Sequence, residues 1–398
     1  MSRIKKKSFK DVFGPGFITT KADNDAGAVT SYLQAGSLYG WHISWVMLLL
    51  LPITYFCQIT TAKIAIATNT GLISIIKEKL GKTWANLTVA NLSFLNFLTL
   101  LTQFAALTNL CEVFNVNKYI AIPAIIVSLC VLFAPSNYNK WEKTMIYLCC
   151  FDIFWIILGA ICGENGNFRQ SKNFSLDGTY LLTIMALIGT TIAPWQLFFQ
   201  NSCTVDKNLK KADFKNIKIE TFIGAVFIII SGIIMIYLGS FVPNGINGSA
   251  QFVKSLSASG FIELILSLLI INASIVGASA VSICTSWVYA ENKNLDRSLN
   301  EKFSEAPWFY SYYYGSIIVA GLATLLPSLP LNYIILGVQV VACVFLPYQL
   351  VIMQLICNDS KLMGTLKNSK KENIIMNSVI LILVILSICL LGKGLSIV

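Results

Sequence analysis

Two carboxylates and an amide, Asp23, Asn24 and Asp25, stand with Gly27 in the middle of the apolar stretch from Gly14 to Gly40. At about 1.5 Å per helical residue, Asp25 falls roughly 16 Å from Gly14, about half of a ~30 Å hydrocarbon core. Charge at that depth costs at least ~2.5 kcal/mol, so a carboxylate kept there faces protein or water and marks a route for an ion or substrate. Three polar residues followed by glycine also break a helix rather than extend it. A second interruption, Gly189 to Ser202, gathers Thr190, Thr191, Trp195, Gln196, Gln200 and Asn201 around Pro194. Proline lacks the backbone donor and collides with the preceding turn, so the helix kinks or breaks there. At each break, the carbonyls ending the first half-helix lose their partners and carry the negative end of the helix dipole. The carbonyls of Ala22 and Thr190, aimed with the Asp25 carboxylate at one point, would hold a cation. Lys21 is the only cationic side chain near either break, and Asp23 with Asp25 outnumbers it, which argues against an anionic cargo.

The elements that must position these groups follow from composition. The 398 residues are 56% hydrophobic and 12% charged, about half the charge of a soluble chain, which leaves an all-α polytopic membrane protein. Beyond the first segment, apolar stretches run at about 42–67, 84–110, 119–134, 141–162, 178–203, 219–241, 261–290, 308–326, 333–357 and 374–391, giving eleven spans. With the N-terminus inside, the inner segments hold 22 lysines and arginines against five on the other side. That asymmetry predicts an N-in, C-out topology in a plasma membrane, and makes the basic excess an orientation signal rather than a nucleic-acid footprint. A bacterial inner or sole cytoplasmic membrane is the expected setting.

Taken alone, the second interruption reads more readily as a kinked helix with packed polar groups. Its place in the chain changes that. Spans one and six each open a group of five, and five is odd, so the second group enters from the opposite side. Broken helices at matching positions of two five-helix halves are the pattern of an inverted-repeat transporter, with its site at the midplane. The expected organisation is a basic terminus at 1–12, a first repeat at 13–162, a second at 163–357, and an inner loop with an accessory eleventh helix at 358–398.

Other features carry less. The eleven cysteines are scattered without a CxxC and read as small buried residues, and the single His42 cannot build a metal site alone. The basic start lacks a signal peptide's clean apolar core. Thr70 to Leu80 puts Leu72, Ile75, Ile76 and Leu80 on one face, the pattern of a short helix lying on the inner membrane surface, or of an ordinary connector. Asp206 to Lys218 reads as a solvated linker. Asp152, Glu220 and Glu263 either line the route or end helices, and Gln349 and Asn272 read as packing polar groups. Asp23 either holds water around a hydrated ion or, as the preferred reading, pairs with Lys21. No HExxH, paired histidine or phosphate loop points to an enzyme.

Three segments in register resemble the Nramp divalent-metal transporters. The first span has Gly14-Pro15-Gly16-Phe17, then Asp25-Ala26-Gly27-Ala28 where the family has Asp-Pro-Gly-Asn, then Gln34-Ala35-Gly36. Ala193-Pro194-Trp195-Gln196, after Leu187-Ile188-Gly189, resembles the family's Met-Pro-His-Asn region. Gln339-Val340-Val341 with Leu346-Pro347 is similar to the segment whose glutamine approaches the ion. The resemblance implies a LeuT-like fold, two inverted repeats of five helices plus an eleventh, with no cofactor beyond the transported ion. It further implies a metal site of Asp25 and the Ala22 and Thr190 carbonyls, with Gln196 and Gln339 reaching the ion directly or through water, in a cavity shaped by Ala28, Ala193, Trp195, Gly27, Pro194 and Asp23. Partners are the divalent ion and the lipid bilayer, and a monomer is expected to suffice.

The departures point further. Ala28 replaces the family's asparagine and Ala193 its methionine, which removes the soft ligand and enlarges the cavity. Hard oxygen ligands in a roomy site suit Mg²⁺, which keeps several waters, as in the Nramp-related magnesium transporter branch. Family members that move protons carry acids in the third span and histidines in the sixth. Here Gln103 and Ala106, then Trp195 and Gln200, fill those positions, and none takes up a proton near neutral pH. The expectation is uncoupled Mg²⁺ transport, with Mn²⁺ also carried. The alternatives are a proton-coupled manganese or iron importer, and an amino-acid or organic-cation symporter on the same scaffold.

Overall fold

The computed structural model describes residues 14–132, 137–163, 178–242, 248–256, 260–327 and 329–395. The basic stretch 1–12 and the loop residues Arg169 and Lys172, which the charge count placed on the outer side, lie outside these residues.

The first span is two helices, α1 (Pro15–Ala22) and α2 (Ala26–Tyr39), separated at Asp23 to Asp25. Pro15 opens α1 at the position where a missing N–H costs nothing. Asp25 is extended and caps α2 with its own carboxylate. The chain continues through α3 (Trp45–Thr68), the short α4 (Leu72–Lys79), α5 (Lys82–Val113) and α6 (Lys118–Leu132). The fifth span breaks at Asp152 into α7 (Tyr138–Cys150) and α8 (Ile153–Gly163), and the sixth breaks into α9 (Gly178–Thr191) and α10 (Pro194–Asp206). Then come α11 (Phe214–Gly239), the short α12 (Ser249–Leu256), α13 (Gly260–Lys293), α14 (Pro307–Ala323), α15 (Leu331–Asn358), the single turn α16 (Ser360–Met363) and α17 (Lys370–Leu395).

Among the described residues, eight helices or helix pairs are long and apolar enough to cross a membrane. The shorter α6 and α14 and the broken α1 and α2 complete eleven helical spans, in the order that the hydropathy pattern predicts. Leu48, Leu49, Val127, Val131, Leu381 and Ile388 are exposed on the flanks, as a surface facing lipid requires. Polar groups are turned inward instead: Gln58, Gln103, Gln196, Gln200 and Asn201 are fully buried among the broken helices. α17 packs beside α15 and is tied to α3 by Lys63, which donates to Asn368 at 2.6 Å and pairs with Glu372 at 2.7 Å.

Two connectors differ from expectation. α4 does not lay its apolar face on lipid: Leu72, Ile73, Ile75 and Ile76 are buried against α5 and α13. Its first turn is capped by the bundle, since the Leu72 amide donates to Asn201 at 3.0 Å and the Ser74 amide to Glu291 at 2.7 Å. An apolar stripe of one short helix is satisfied equally by lipid or protein, and these caps favour protein. The Asp206 to Lys218 linker is also anchored at its start. Asp206 accepts from the Ser298 hydroxyl at 2.6 Å and the Leu299 amide at 3.1 Å, so the loop after α10 is stitched to the loop after α13.

Candidate ion site

Both breaks are built the same way: a glutamine amide takes the backbone N–H that would have continued the first half-helix. At the first break, the Ala26 amide donates to Gln103 Oε1 at 3.0 Å rather than to the Ala22 carbonyl one turn back. At the second, the Ala193 amide donates to Gln196 Oε1 at 3.1 Å, and Pro194 has no N–H to give the Thr190 carbonyl. The Ala22 and Thr190 carbonyls are thereby freed from helical hydrogen bonding, as the positions of the breaks predict. The two broken spans touch through Tyr32 and Thr191, whose hydroxyls lie 2.9 Å apart.

Asp25 is gripped from two sides. Its Oδ1 accepts from the Ala28 amide at 2.9 Å, and its Oδ2 accepts from Gln103 Nε2 at 2.7 Å. The orientation of the Gln103 amide is fixed, because the Ala26 N–H can only donate and must meet the oxygen, which turns the NH₂ toward Asp25. Both carboxylate oxygens therefore meet N–H donors, an arrangement that suits a carboxylate and not an acid whose hydroxyl must itself donate. Gly277 of α13 makes room for the pair. A Cβ there would lie 2.7 Å from Asp25 Cβ and 2.8 Å from Gln103 Cδ.

Gly27 opens the other flank. A Cβ on Gly27 would meet Asp25 Oδ1 at 3.1 Å and Thr102 Oγ1 at 3.2 Å, and would collide with Gln339 Nε2. Three polar groups from α2, α5 and α15 thus converge on a glycine. Gln339 Nε2 is buried without a protein partner, so nothing pins its amide, and a half-turn presents oxygen at the same place. Thr190 Oγ1 and Asp23 Oδ2 are likewise buried without a protein partner. Among the described residues no three His, Cys, Asp or Glu side chains converge, and the groups beside Asp25 are the Gln103 and Gln339 amides and the Thr102 hydroxyl.

Other expected residues fall into different roles. Gln196 does not turn an oxygen to the site: its Oε1 accepts from the Ala193 amide and from Gln58 Nε2 at 3.0 Å, and its NH₂ reaches the Thr19 carbonyl at 3.4 Å. As a direct ligand it is corrected to a clamp, because two fixed donors hold its only acceptor. The Trp195 ring packs edge-on to Phe199, in a cluster with Trp141 and Trp287 that fills the space beneath the second break. Ala28 and Ala193 are buried beside the two breaks. Both polar atoms of Gln200 are buried without a protein partner, and Ala106 lies further along α5, its carbonyl accepting from Ser249 at 3.4 Å.

The expected Lys21–Asp23 pair is overturned. Lys21 turns to Asp152, Nζ to Oδ2 at 2.6 Å with its side chain wholly buried, and Asn24 Nδ2 donates to the same oxygen at 2.8 Å. The break between α7 and α8 brings Asp152 to the end of α1, which spacing within the first span could not reveal. Glu220 accepts from the Gly16 amide at 3.0 Å and caps the start of α1, while Glu263 is half-buried in the first turn of α13. Asn272 and Gln349 pack as predicted, donating to the Leu148 carbonyl and to Asn91. Gln58 and Gly277 were not singled out by sequence. A lone amide in the middle of the apolar α3 was the available signal for Gln58; a glycine in a long helix gives none.

The family model described as natural resistance-associated macrophage protein-like matches residues 16–393. A divalent metal cation transporter, MntH, of Caldanaerobacter subterraneus subsp. tengcongensis is 25% identical over 268 residues, and that match spans 61% of each chain. A protein of the same name from Staphylococcus saprophyticus is 23% identical over 433 aligned positions, covering 95% of this chain and 91% of the relative. Among solved structures, a manganese transporter of Eremococcus coleocola superposes with a TM-score of 0.73 at 13% identity, over 99% of this chain and 88% of the other. MhsT, solved with L-phenylalanine, superposes with a TM-score of 0.59 at 13% identity, over 95% of this chain and 98% of the other. At such identities the likeness speaks for a shared LeuT-like fold.

Proposed function

This chain belongs to the Nramp family, and we propose that it carries divalent metal cations across a membrane by alternating access, with Mg²⁺ preferred and no proton moved. One observation carries the reading: the buried Asp25 carboxylate is held by the Ala28 amide and the Gln103 side chain, neither of which can take up or release a proton in the range of physiological pH. The ion then meets Asp25, the freed carbonyls of Ala22 and Thr190, and the Gln339 amide turned oxygen-inward. No thioether stands beside them, since position 193 is alanine, and oxygen-only ligation favours a hard ion that keeps part of its water. Relatives of this chain are named divalent metal cation transporters, which supports the cargo class.

The basic inner segments support an N-terminus inside and a C-terminus outside. Entry then runs down an inside-negative potential, and a divalent ion gains about 4.6 kcal/mol per 100 mV, twice the value for one charge. That is enough to drive accumulation without a coupled proton, and one chain suffices for it. The manganese named for the structural neighbour favours a second reading, a proton-coupled Mn²⁺ importer; it would need a titratable partner for Asp25 where Gln103 stands. The test is Mg²⁺ uptake into proteoliposomes by the Asp25→Ala variant. Uptake should fall to the background of empty vesicles, and undiminished flux would remove Asp25 from the site.

A further inference from the structure

We infer that Asp23 is a second anionic ligand for the transported ion, kept free because Lys21 is drawn away to Asp152. The inference rests on the ion site proposed above and adds a carboxylate to it. Asp23 is 2% exposed, at the end of α1 and two residues before Asp25. A buried carboxylate in the middle of a membrane needs a countercharge, and the nearest cation in sequence is Lys21. That ammonium is spent: it sits 2.6 Å from Asp152 Oδ2 and 5.8 Å from the centre of the Phe227 ring, and Asn24 reinforces the same acceptor.

Gln196 Oε1 is taken by the Ala193 amide and by Gln58, so its NH₂ faces away from them and reaches the Thr19 carbonyl at 3.4 Å. Both Asp25 oxygens are engaged, whereas Asp23 Oδ2 is buried with no protein partner. With Lys21 and Asp152 paired to each other, two carboxyl groups remain at the first break, and a divalent ion that meets both neutralises them as a monovalent ion does not. Asp23 meets the ion directly or through a water of its first shell, and it supplies discrimination by charge, where Asp25 with the carbonyls supplies the seat.

Mg²⁺ binding to the purified full-length protein, measured by isothermal titration, tests this. Asp23→Asn should weaken Mg²⁺ by roughly tenfold or more, since a buried charge loses its partner, while Asp23→Glu should retain most of the affinity. Asp152→Asn should weaken it as well, by releasing the Lys21 ammonium toward Asp23, and adding Lys21→Met to that variant should restore binding. This second pair decides the matter if Asp23→Asn fails to fold. Wild-type affinity in Asp23→Asn, or no rescue by Lys21→Met, overturns the inference. Asp25→Asn separates it from the reading beneath: loss in Asp25→Asn with none in Asp23→Asn sinks only the second ligand, whereas full affinity in Asp25→Asn sinks the site itself.

Discussion

Replacing Gly277 by alanine should disable transport while leaving the fold standing. The new Cβ would lie 2.7 Å from Asp25 Cβ and 2.8 Å from both Cδ and Oε1 of Gln103, where ordinary contact begins at 3.4 Å. To reach ordinary contact Asp25 must therefore retreat by 0.7 Å (3.4 less 2.7 Å) and Gln103 by 0.6 Å (3.4 less 2.8 Å). Neither can do so freely, because Gln103 is fixed by the Ala26 amide and Asp25 caps α2. Overpacking of this kind costs about 1–3 kcal/mol, and alanine in a helix returns roughly 0.5–1 kcal/mol, so the net loss of stability is modest. The loss at the site is larger, since a displacement of about 1 Å in a preorganised constellation can lower a rate roughly 100-fold. The assay is Mg²⁺ uptake into proteoliposomes, read beside thermal unfolding of the same preparation. Gly315→Ala is the control: a Cβ there meets nothing within 4 Å, and both transport and stability should be unchanged or slightly improved. Wild-type uptake by Gly277→Ala would show that the Asp25–Gln103 geometry is not what the ion depends on.

Further outcomes follow from the same contacts. Gln103→Glu puts a titratable carboxyl in place of the amide that donates to Asp25 at 2.7 Å, and like charges in hydrogen-bond contact share one proton, so uptake should become pH-dependent and acidify the vesicle interior; pH-independent flux would contradict the assignment. Ala193→Met puts a thioether beside the second break and should shift competition between Cd²⁺ or Mn²⁺ and Mg²⁺ toward the softer ions by roughly tenfold, measured by inhibition of Mg²⁺ uptake. No change in the order of inhibition would remove position 193 from the ion's surroundings.

The fold was legible because lipid imposes a simple rule: apolar stretches of spanning length recur, basic residues mark one side, and breakers stand at matching places in two halves. Pro194 announced the freed Thr190 carbonyl, since a residue without N–H cannot bond one turn back. The first break was legible for the opposite reason, an excess of polar groups with no place in a continuous helix. What escaped were partnerships across distant spans. Lys21 could be paired from sequence only with its neighbour Asp23, because nothing in the first span reveals that a kink in the fifth delivers Asp152. Gln196 was expected to face the ion because its position matched a ligand region, yet the Ala193 amide and Gln58 turn its oxygen away. Gln103 reads in sequence as an absence, a residue that cannot carry a proton. In the fold it is the group that holds the charge of Asp25 in place.

The most direct test of the central claim is uptake of Mg²⁺, Mn²⁺ and Ca²⁺ into vesicles containing the wild-type protein, under an inside-negative potential, with internal pH recorded at the same time. Mg²⁺ should enter saturably and faster than Ca²⁺, Mn²⁺ should compete with it, and internal pH should stay level throughout. Acidification in step with metal entry, or entry of Mn²⁺ with none of Mg²⁺, would contradict it.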